Sequence, residues 1–159
     1  RVEVAGAVSV DVGCVRITER FLHTDPPTTG EVAAARAHCD RIVADALDRV
    51  AGAVSAEYLV GLAGTVSTLA AVDLGLTDYD RSRVHNHVLG VDRIRRLSDE
   101  LLALPAAARR SVPGMEPGRI EVIAGGLIVL ASVCAATGHD RLLVSEADIL
   151  DGLAASLLA

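Results

Sequence analysis

An apolar run that passes through a glycine into a helix-forming segment sets the fold class of this chain. Residues 58–75 read YLVGLAGTVSTLAAVDLG, with a short apolar run, then Gly64, then a hydroxyl-rich stretch that leads into Leu69. The apolar run is typical of a buried strand, and the segment after the glycine is typical of a helix. This order predicts a strand, a tight turn and a helix in a mixed α/β protein rather than a helical bundle.

The same junction predicts a phosphate site. The first N–H groups of a helix lack partners inside it and lie at the positive end of its dipole. Gly64 has no Cβ to obstruct an anion there, so Gly64, Thr65, Val66 and Ser67 are predicted to bind phosphate, with Arg16 as a further ligand. The alternatives are a capped helix without a ligand, and an Arg16 that pairs with a nearby carboxylate. The phosphate hypothesis requires an exposed and unobstructed helix start.

Composition excludes several classes of function. The chain has 159 residues, enough for one domain, and 51% of them are hydrophobic. A net charge of −6 and the lack of a long basic run exclude nonspecific nucleic-acid binding. The longest apolar run, residues 122–136, is interrupted by glycines and a serine, so no membrane span is predicted. Three widely spaced cysteines indicate reduced thiols in a cytoplasmic protein.

The flanking segments predict the remaining elements. Alternation at Val8–Gly13 predicts a strand, and Thr28 with Glu31 has the spacing of a capping box that opens a helix. Apolar periodicity predicts further helices over residues 91–104 and 122–137, a strand over 142–146 and a closing helix over 148–158. The closing helix is predicted to bury its apolar residues, which are Ile149, Leu150, Leu153, Ala154 and Leu157.

A pair of glycines and a pair of histidines each leave two interpretations open. Gly125 and Gly126 each cost a helix about 1 kcal/mol relative to alanine, so the pair predicts close approach of another backbone or of a ligand. His85 and His87 lack a third ligand at metal-site spacing. They are predicted to contact a bound anion or to make structural hydrogen bonds.

Several segments carry a pattern that extends along essentially the whole chain. They are SVDVGCVRITE (9–19), GTVSTLA (64–70), VHNHVL (84–89), PGM (113–115), RIEVIAGGLI (119–128), VSE (144–146) and LDGL (150–153). In order and spacing they resemble the second, C-terminal lobe of the exopolyphosphatase/guanosine pentaphosphate phosphohydrolase (Ppx/GppA) family. Asn86 and Ala147–Asp148 depart from that pattern, where the family usually has glycine, which weakens any inference about substrate preference.

The resemblance implies an α/β fold of the ribonuclease-H-like, actin-like ATPase type, with a mixed sheet flanked by helices and the first strands of the lobe missing. Residues 1–159 are then a single domain, the second lobe of a two-lobed phosphatase. The resemblance also implies cleavage of terminal phosphoanhydride bonds of polyphosphate or guanosine pentaphosphate, generally with Mg²⁺. Gly64–Thr65 would be a phosphate loop, and Arg119, Gly125 and Gly126 would lie at the nucleotide-binding place.

No catalytic residue or metal ligand is assigned within the sequence. The family's Asp-Ile-Gly-Gly-Gly-Ser-Thr-Glu hairpin and the lobe that supplies its general base are absent from it. Two alternatives therefore stand beside a hydrolase: a non-catalytic module that binds polyphosphate or guanosine tetraphosphate, and a dimerisation lobe. A homodimer is expected, because the final helices are rich in alanine and leucine.

Overall fold

The structure, a computed structural model, describes residues 4–157 and contains a mixed three-stranded sheet flanked by helices. The strands are β1 (Val60–Leu62), β2 (Val88–Gly90) and β3 (Arg141–Ser145), in the order β1-β3-β2. β1 runs parallel to β3, and β2 runs antiparallel to it. The helices are α1 (Cys14–Phe21), α2 (Thr29–Asp48), α3 (Gly64–Asp73), α4 (Arg81–Val84), α5 (Val91–Leu102), α6 (Ala106–Arg109), α7 (Ile123–Thr137) and α8 (Ile149–Leu157). The predicted α/β class is confirmed.

The main core lies between one face of the sheet and helices α3, α5 and α7. The side chains of Leu89, Leu142 and Val144 project from this face and are fully buried. Helix α7 is apolar around its circumference and packs against α1, α2, α3 and α5, so it forms the centre of the molecule. A second cluster, which includes Ile17 and Ile128, joins α1 and α2 to the other side of α7.

The capping box predicted for α2 is confirmed. The N–H of Glu31 donates to the Thr28 hydroxyl at 3.3 Å, and the N–H of Thr28 donates to the Glu31 carboxylate at 2.7 Å. A hydrogen bond from Thr24, followed by the bond from Thr28, lowers the pKa of Glu31 to about 2. The carboxylate therefore remains ionised at the positive end of the helix dipole.

The strand predicted at Val8–Gly13 is wrong. Val8 and Val12 are half-buried while Ser9 and Asp11 are exposed, so the expected alternation of faces is present. Within residues 4–157, however, no neighbouring strand pairs with this segment, and a strand needs a hydrogen-bonded ladder. The chain instead enters α1 at Cys14.

Two further predictions about burial are wrong. β1 is an edge strand, and Val60 and Leu62 are each 50% exposed rather than buried. Val60 and Leu62 lie on the sheet face opposite the main core. Leu143 and Val88, which are paired across β3 and β2, lie on the same face. The apolar residues of α8 are also exposed, because nothing within residues 4–157 covers them. The predicted closing helix is present, but its apolar residues are not buried.

Across the described residues, no helix combines the length and the apolar character that crossing a membrane requires.

Candidate active site

A cavity of about 600 Å³ opens at the edge of the sheet where β1 and β3 end. The two strands are parallel and Leu62 lies opposite Ser145, so the residues that follow them reach the same edge. Ligands of α/β proteins bind outside the carboxyl ends of parallel strands. The cavity is lined by Ala63, Gly64, Ser67, Ala71, Leu76, Thr77, Tyr79, Gly114, Met115, Glu116, Pro117, Arg119, Ser145, Glu146 and Asp148.

The start of α3 forms one wall of this cavity. The N–H groups of Val66 and Ser67 donate to the carbonyl of Ala63 at 3.0 and 3.1 Å. For the N–H groups of Gly64 and Thr65, no acceptor is present in the described part of the chain. These two groups lie at the positive end of the helix dipole and are the ones that a bound anion would accept from.

The backbone is strained at the residue that precedes α3. Ala63, the N-cap of α3, has φ 73° and ψ 173°, a region that is essentially restricted to glycine. Gly64 itself does not adopt a positive φ, so the tight turn lies one residue earlier than the sequence predicts. Strained residues of this kind cluster at ligand clamps, which supports a binding role for this junction.

Arg119 lies directly over Gly64. A Cβ built on Gly64 would overlap the guanidinium of Arg119, so this position requires glycine for the close approach. The expectation of an unobstructed helix start is therefore wrong. The covering group is nevertheless a cation with 36% of its side chain exposed, and a guanidinium is itself a bidentate phosphate ligand.

Carboxylates and a phenol complete the cavity. Nε of Arg119 lies 3.4 Å from the Glu116 carboxylate, an exposed pair with little intrinsic strength. Asp148 accepts the N–H of Leu150 at 2.7 Å and so is occupied at the start of α8. Burial and the neighbouring Glu146 carboxylate raise the pKa of Tyr79 to about 12, so its hydroxyl remains a hydrogen-bond donor at neutral pH.

The structure brings together only part of the predicted site. Of the phosphate residues, Gly64 and Ser67 line the cavity. Thr65 does not line the cavity, and its side chain packs against Gly126. The side chain of Val66 is buried in the main core. The predicted hydroxyl donors thus contribute less than the backbone.

Gly125 and Gly126 do not line the cavity. Both are buried in α7, where Gly125 lies against the backbone of α1 and Gly126 lies against Thr65. Close approach of another element therefore accounts for the glycine pair. Among the predicted nucleotide-binding residues, only Arg119 reaches the cavity, and a nucleotide contact stays a prediction.

Arg16 also lies outside the cavity. Its guanidinium forms an exposed ion pair with Asp11 at 2.7 Å, on the surface of α1. This matches the alternative that the sequence left open, in which Arg16 pairs with a nearby carboxylate. Phosphate binding by Arg16 stays a prediction without support from its position.

Sequence reasoning missed four cavity residues that carry chemistry: Tyr79, Glu116, Glu146 and Asp148. Glu146 follows the last strand, so the rule that ligands bind at strand carboxyl ends identifies it once parallel pairing with β1 is known. Tyr79 and Glu116 lie in turn-rich segments where no periodic signal selects them.

The ligand types present bear on whether these residues bind a metal ion. Mg²⁺ prefers carboxylate and other oxygen ligands in octahedral geometry. Within residues 4–157, no group of three histidine, cysteine or acidic side chains is placed to hold a metal ion. The described residues alone therefore assign no metal site, and no chemical step is routed through a metal ion.

Comparison with known proteins gives the family. The Ppx/GppA phosphatase family model matches residues 1–159. Exopolyphosphatase 2 of Mycobacterium tuberculosis is 42% identical over 163 residues, which cover 98% of this chain and 50% of that protein. The chain therefore spans about half the length of this relative.

Solved structures agree with this assignment. A Ppx/GppA enzyme of Aquifex aeolicus superposes with a TM-score of 0.87 at 28% identity, over 97% of this chain and 50% of that one. An exopolyphosphatase-like protein superposes with a TM-score of 0.86 at 34% identity, over 92% of this chain and 48% of that one. The mixed sheet flanked by helices is thus the actin-like ATPase fold, and the chain belongs to the Ppx/GppA phosphatase family.

Proposed function

We propose that this chain is the phosphate-binding half, the second lobe, of a two-lobed hydrolase that cleaves terminal phosphoanhydride bonds of polyphosphate or guanosine pentaphosphate. The observation that carries the proposal is the guanidinium of Arg119 lying over Gly64 at the start of α3. A terminal phosphate there would accept from the N–H groups of Gly64 and Thr65 and from the guanidinium. The similarity to exopolyphosphatase 2 supports this choice of substrate class.

The proposed contribution of this chain is electrostatic. Phosphoryl transfer spreads negative charge over the equatorial oxygens of the transferred group, and fixed donors stabilise that charge. Arg119 and the start of α3 supply such donors. Activation of water and a general base are assigned to the remainder of the proposed protein.

The test is phosphate release by the intact protein with Mg²⁺ present, measured with polyphosphate and with guanosine pentaphosphate. Removing one preorganised donor costs roughly 100-fold in rate, so Arg119→Ala is expected to lose about that factor. Arg141→Ala is the matched control, because it removes an exposed arginine outside the cavity. Equal rates for the two variants, or no release by the unmodified protein, would contradict the proposal.

A second candidate is a non-catalytic module that binds the same anions. This alternative needs only the donors at the start of α3 and on Arg119, which can hold a terminal phosphate without an activated water. Titration of the intact protein with guanosine tetraphosphate, alongside the phosphate-release assay, separates the two. Binding without turnover would favour the module.

The homodimer and the cytoplasmic location stay predictions. The exposed apolar face of α8 supports self-association, because contiguous apolar surface marks contact sites. Light scattering that gives a monomer mass at high protein concentration would count against the homodimer.

A further inference from the structure

Arg109 is a buried cation outside the cavity. It belongs to α6 and is 3% exposed, although arginine is almost never fully buried unless it is paired. Burial lowers the pKa of Arg109, and the Asp25 and Glu121 carboxylates oppose that shift. A guanidinium remains protonated under these conditions, so Arg109 is a fixed, charged donor.

The donors of Arg109 connect three segments. Nε donates to the carbonyls of Leu101 at 3.1 Å and Leu104 at 3.0 Å, at and just beyond the end of α5. Nη1 donates to the carbonyl of Ile120 at 2.9 Å, and Nη2 lies 3.4 Å from the Asp25 carboxylate. Carbonyls at a helix end lack partners inside the helix and favour a cation. Arg109 therefore anchors Ile120 to the rigid end of α5.

Ile120 immediately follows Arg119, so this anchor acts on the segment that carries the cavity cation. The other end of that segment is fixed at Gly114, which has φ 86° and lies against the backbone of Ala71 in α3. A Cβ at Gly114 would overlap that backbone, so the turn sits directly on the helix. Between these two anchors, the backbone from Glu116 to Arg119 has little freedom to shift.

We infer that Arg109 is a positioning residue that holds Arg119 over the start of α3. This inference rests on the proposed function, in which Arg119 binds phosphate. Arg109 touches no ligand itself. It acts by fixing the carbonyl next to Arg119, and Asp25 is its counter-ion. A misplacement of about 1 Å costs a binding or catalytic group up to 100-fold, so loosening this anchor is expected to weaken phosphate binding.

The test compares Arg109→Met, Arg109→Lys, Arg119→Ala and the double variant Arg109→Met/Arg119→Ala in the intact protein. The measured quantity is the dissociation constant for tripolyphosphate, determined by calorimetry well below the unfolding temperature. Arg109→Met is expected to weaken binding about tenfold. Arg109→Lys keeps the charge but not the fork of donors, so it is expected to lie between Arg109→Met and the unmodified protein.

The double variant distinguishes positioning from general destabilisation. If Arg109 acts through Arg119, the double variant binds no more weakly than Arg119→Ala alone. Additive losses would overturn the inference. Ile128→Ala, in the second core cluster away from the cavity, is the control for lowered stability and is expected to leave the dissociation constant unchanged.

These measurements distinguish a failure of the proposed function from a failure of the positioning role. If Arg119→Ala binds tripolyphosphate as well as the unmodified protein, the proposed function fails. If Arg119→Ala weakens binding but the Arg109 variants do not, the proposed function stands and the positioning role fails. Where Arg109→Met does not fold, Arg109→Lys with and without Arg119→Ala carries the same comparison.

Discussion

At the scale of single residues, the site depends on the absence of a side chain at Gly64 and on the long side chain of Arg119. Gly64 leaves the space into which the guanidinium of Arg119 extends, and Ala63 holds the strained backbone that presents the helix start. A glycine before a hydroxyl-rich helix suggests a phosphate site. The side chain proposed to bind the phosphate, however, is that of Arg119, which lies 55 residues further along the chain. The Thr65 side chain packs against Gly126, and the Ser67 hydroxyl, which lines the cavity, donates to the Ala63 carbonyl.

Gly64→Ala is therefore expected to separate binding from stability. The new methyl group meets the flexible end of Arg119 rather than backbone, so the fold is retained while Arg119 shifts and tripolyphosphate affinity falls about tenfold. Gly30→Ala near the start of α2 is the matched control, because a Cβ there meets nothing within 4 Å. Calorimetry and thermal unfolding of both variants check this. Equal affinities would show that the contact is unimportant.

At the scale of elements, α7 organises the molecule because it packs against α1, α2, α3 and α5. The helix is apolar on all sides and most of its residues are buried. Gly125 allows α1 to approach closely, and Gly126 allows α3 to do so. A Cβ added at Gly125 would overlap the Cys14 carbonyl of α1 and would stand 2.9 Å from the backbone nitrogen of Thr18. The atoms nearest to a Cβ added at Gly126 belong to the side chain of Thr65.

This difference predicts unequal stability losses. Gly125→Ala forces two helices apart and is expected to lower the free energy of unfolding by about 2–3 kcal/mol, as overpacked core substitutions do. Gly126→Ala is expected to cost about 1 kcal/mol, because the Thr65 side chain can change rotamer. Urea unfolding of both measures the difference, with Gly152→Ala on the open surface of α8 as the control. A larger loss for Gly126→Ala would contradict this description of α7.

At the scale of the whole molecule, an ionic cluster joins the end of α3 to β2 and α5. Asp73 accepts from Nε of Arg93 at 2.7 Å, and Nε2 of His87 lies 2.8 Å from its other oxygen. His87 therefore makes the structural hydrogen bond that was one of its two predicted roles. Burial acts to raise the pKa of Asp73, but hydrogen bonds from Arg93 and His87 outweigh it and hold the pKa below its ordinary value.

The cluster predicts a loss of stability in acid. Because the folded-state pKa of Asp73 is depressed, its contribution is complete above the unfolded pKa of about 3.9 and is lost as pH falls through the lower folded value. Asp73→Asn is expected to cost about 1–2 kcal/mol near pH 7 and much less near pH 2. Urea unfolding at both pH values checks this, with exposed Asp45→Asn as the control. A cost that is independent of pH would exclude an ionic contribution.

The sequence by itself determined whatever depends on neighbours along the chain. It predicted the strand, turn and helix around Gly64, the capping box at Thr28 and the extents of α5, α7 and β3, because caps and periodicity are local properties. Only the tertiary structure decided what lies against these elements: Arg119 over Gly64, helix packing at Gly125 and, within residues 4–157, an uncovered apolar face on α8 and no strand before α1. These contacts join residues far apart in sequence, and their free energies come from packing and charge pairing that no local pattern encodes.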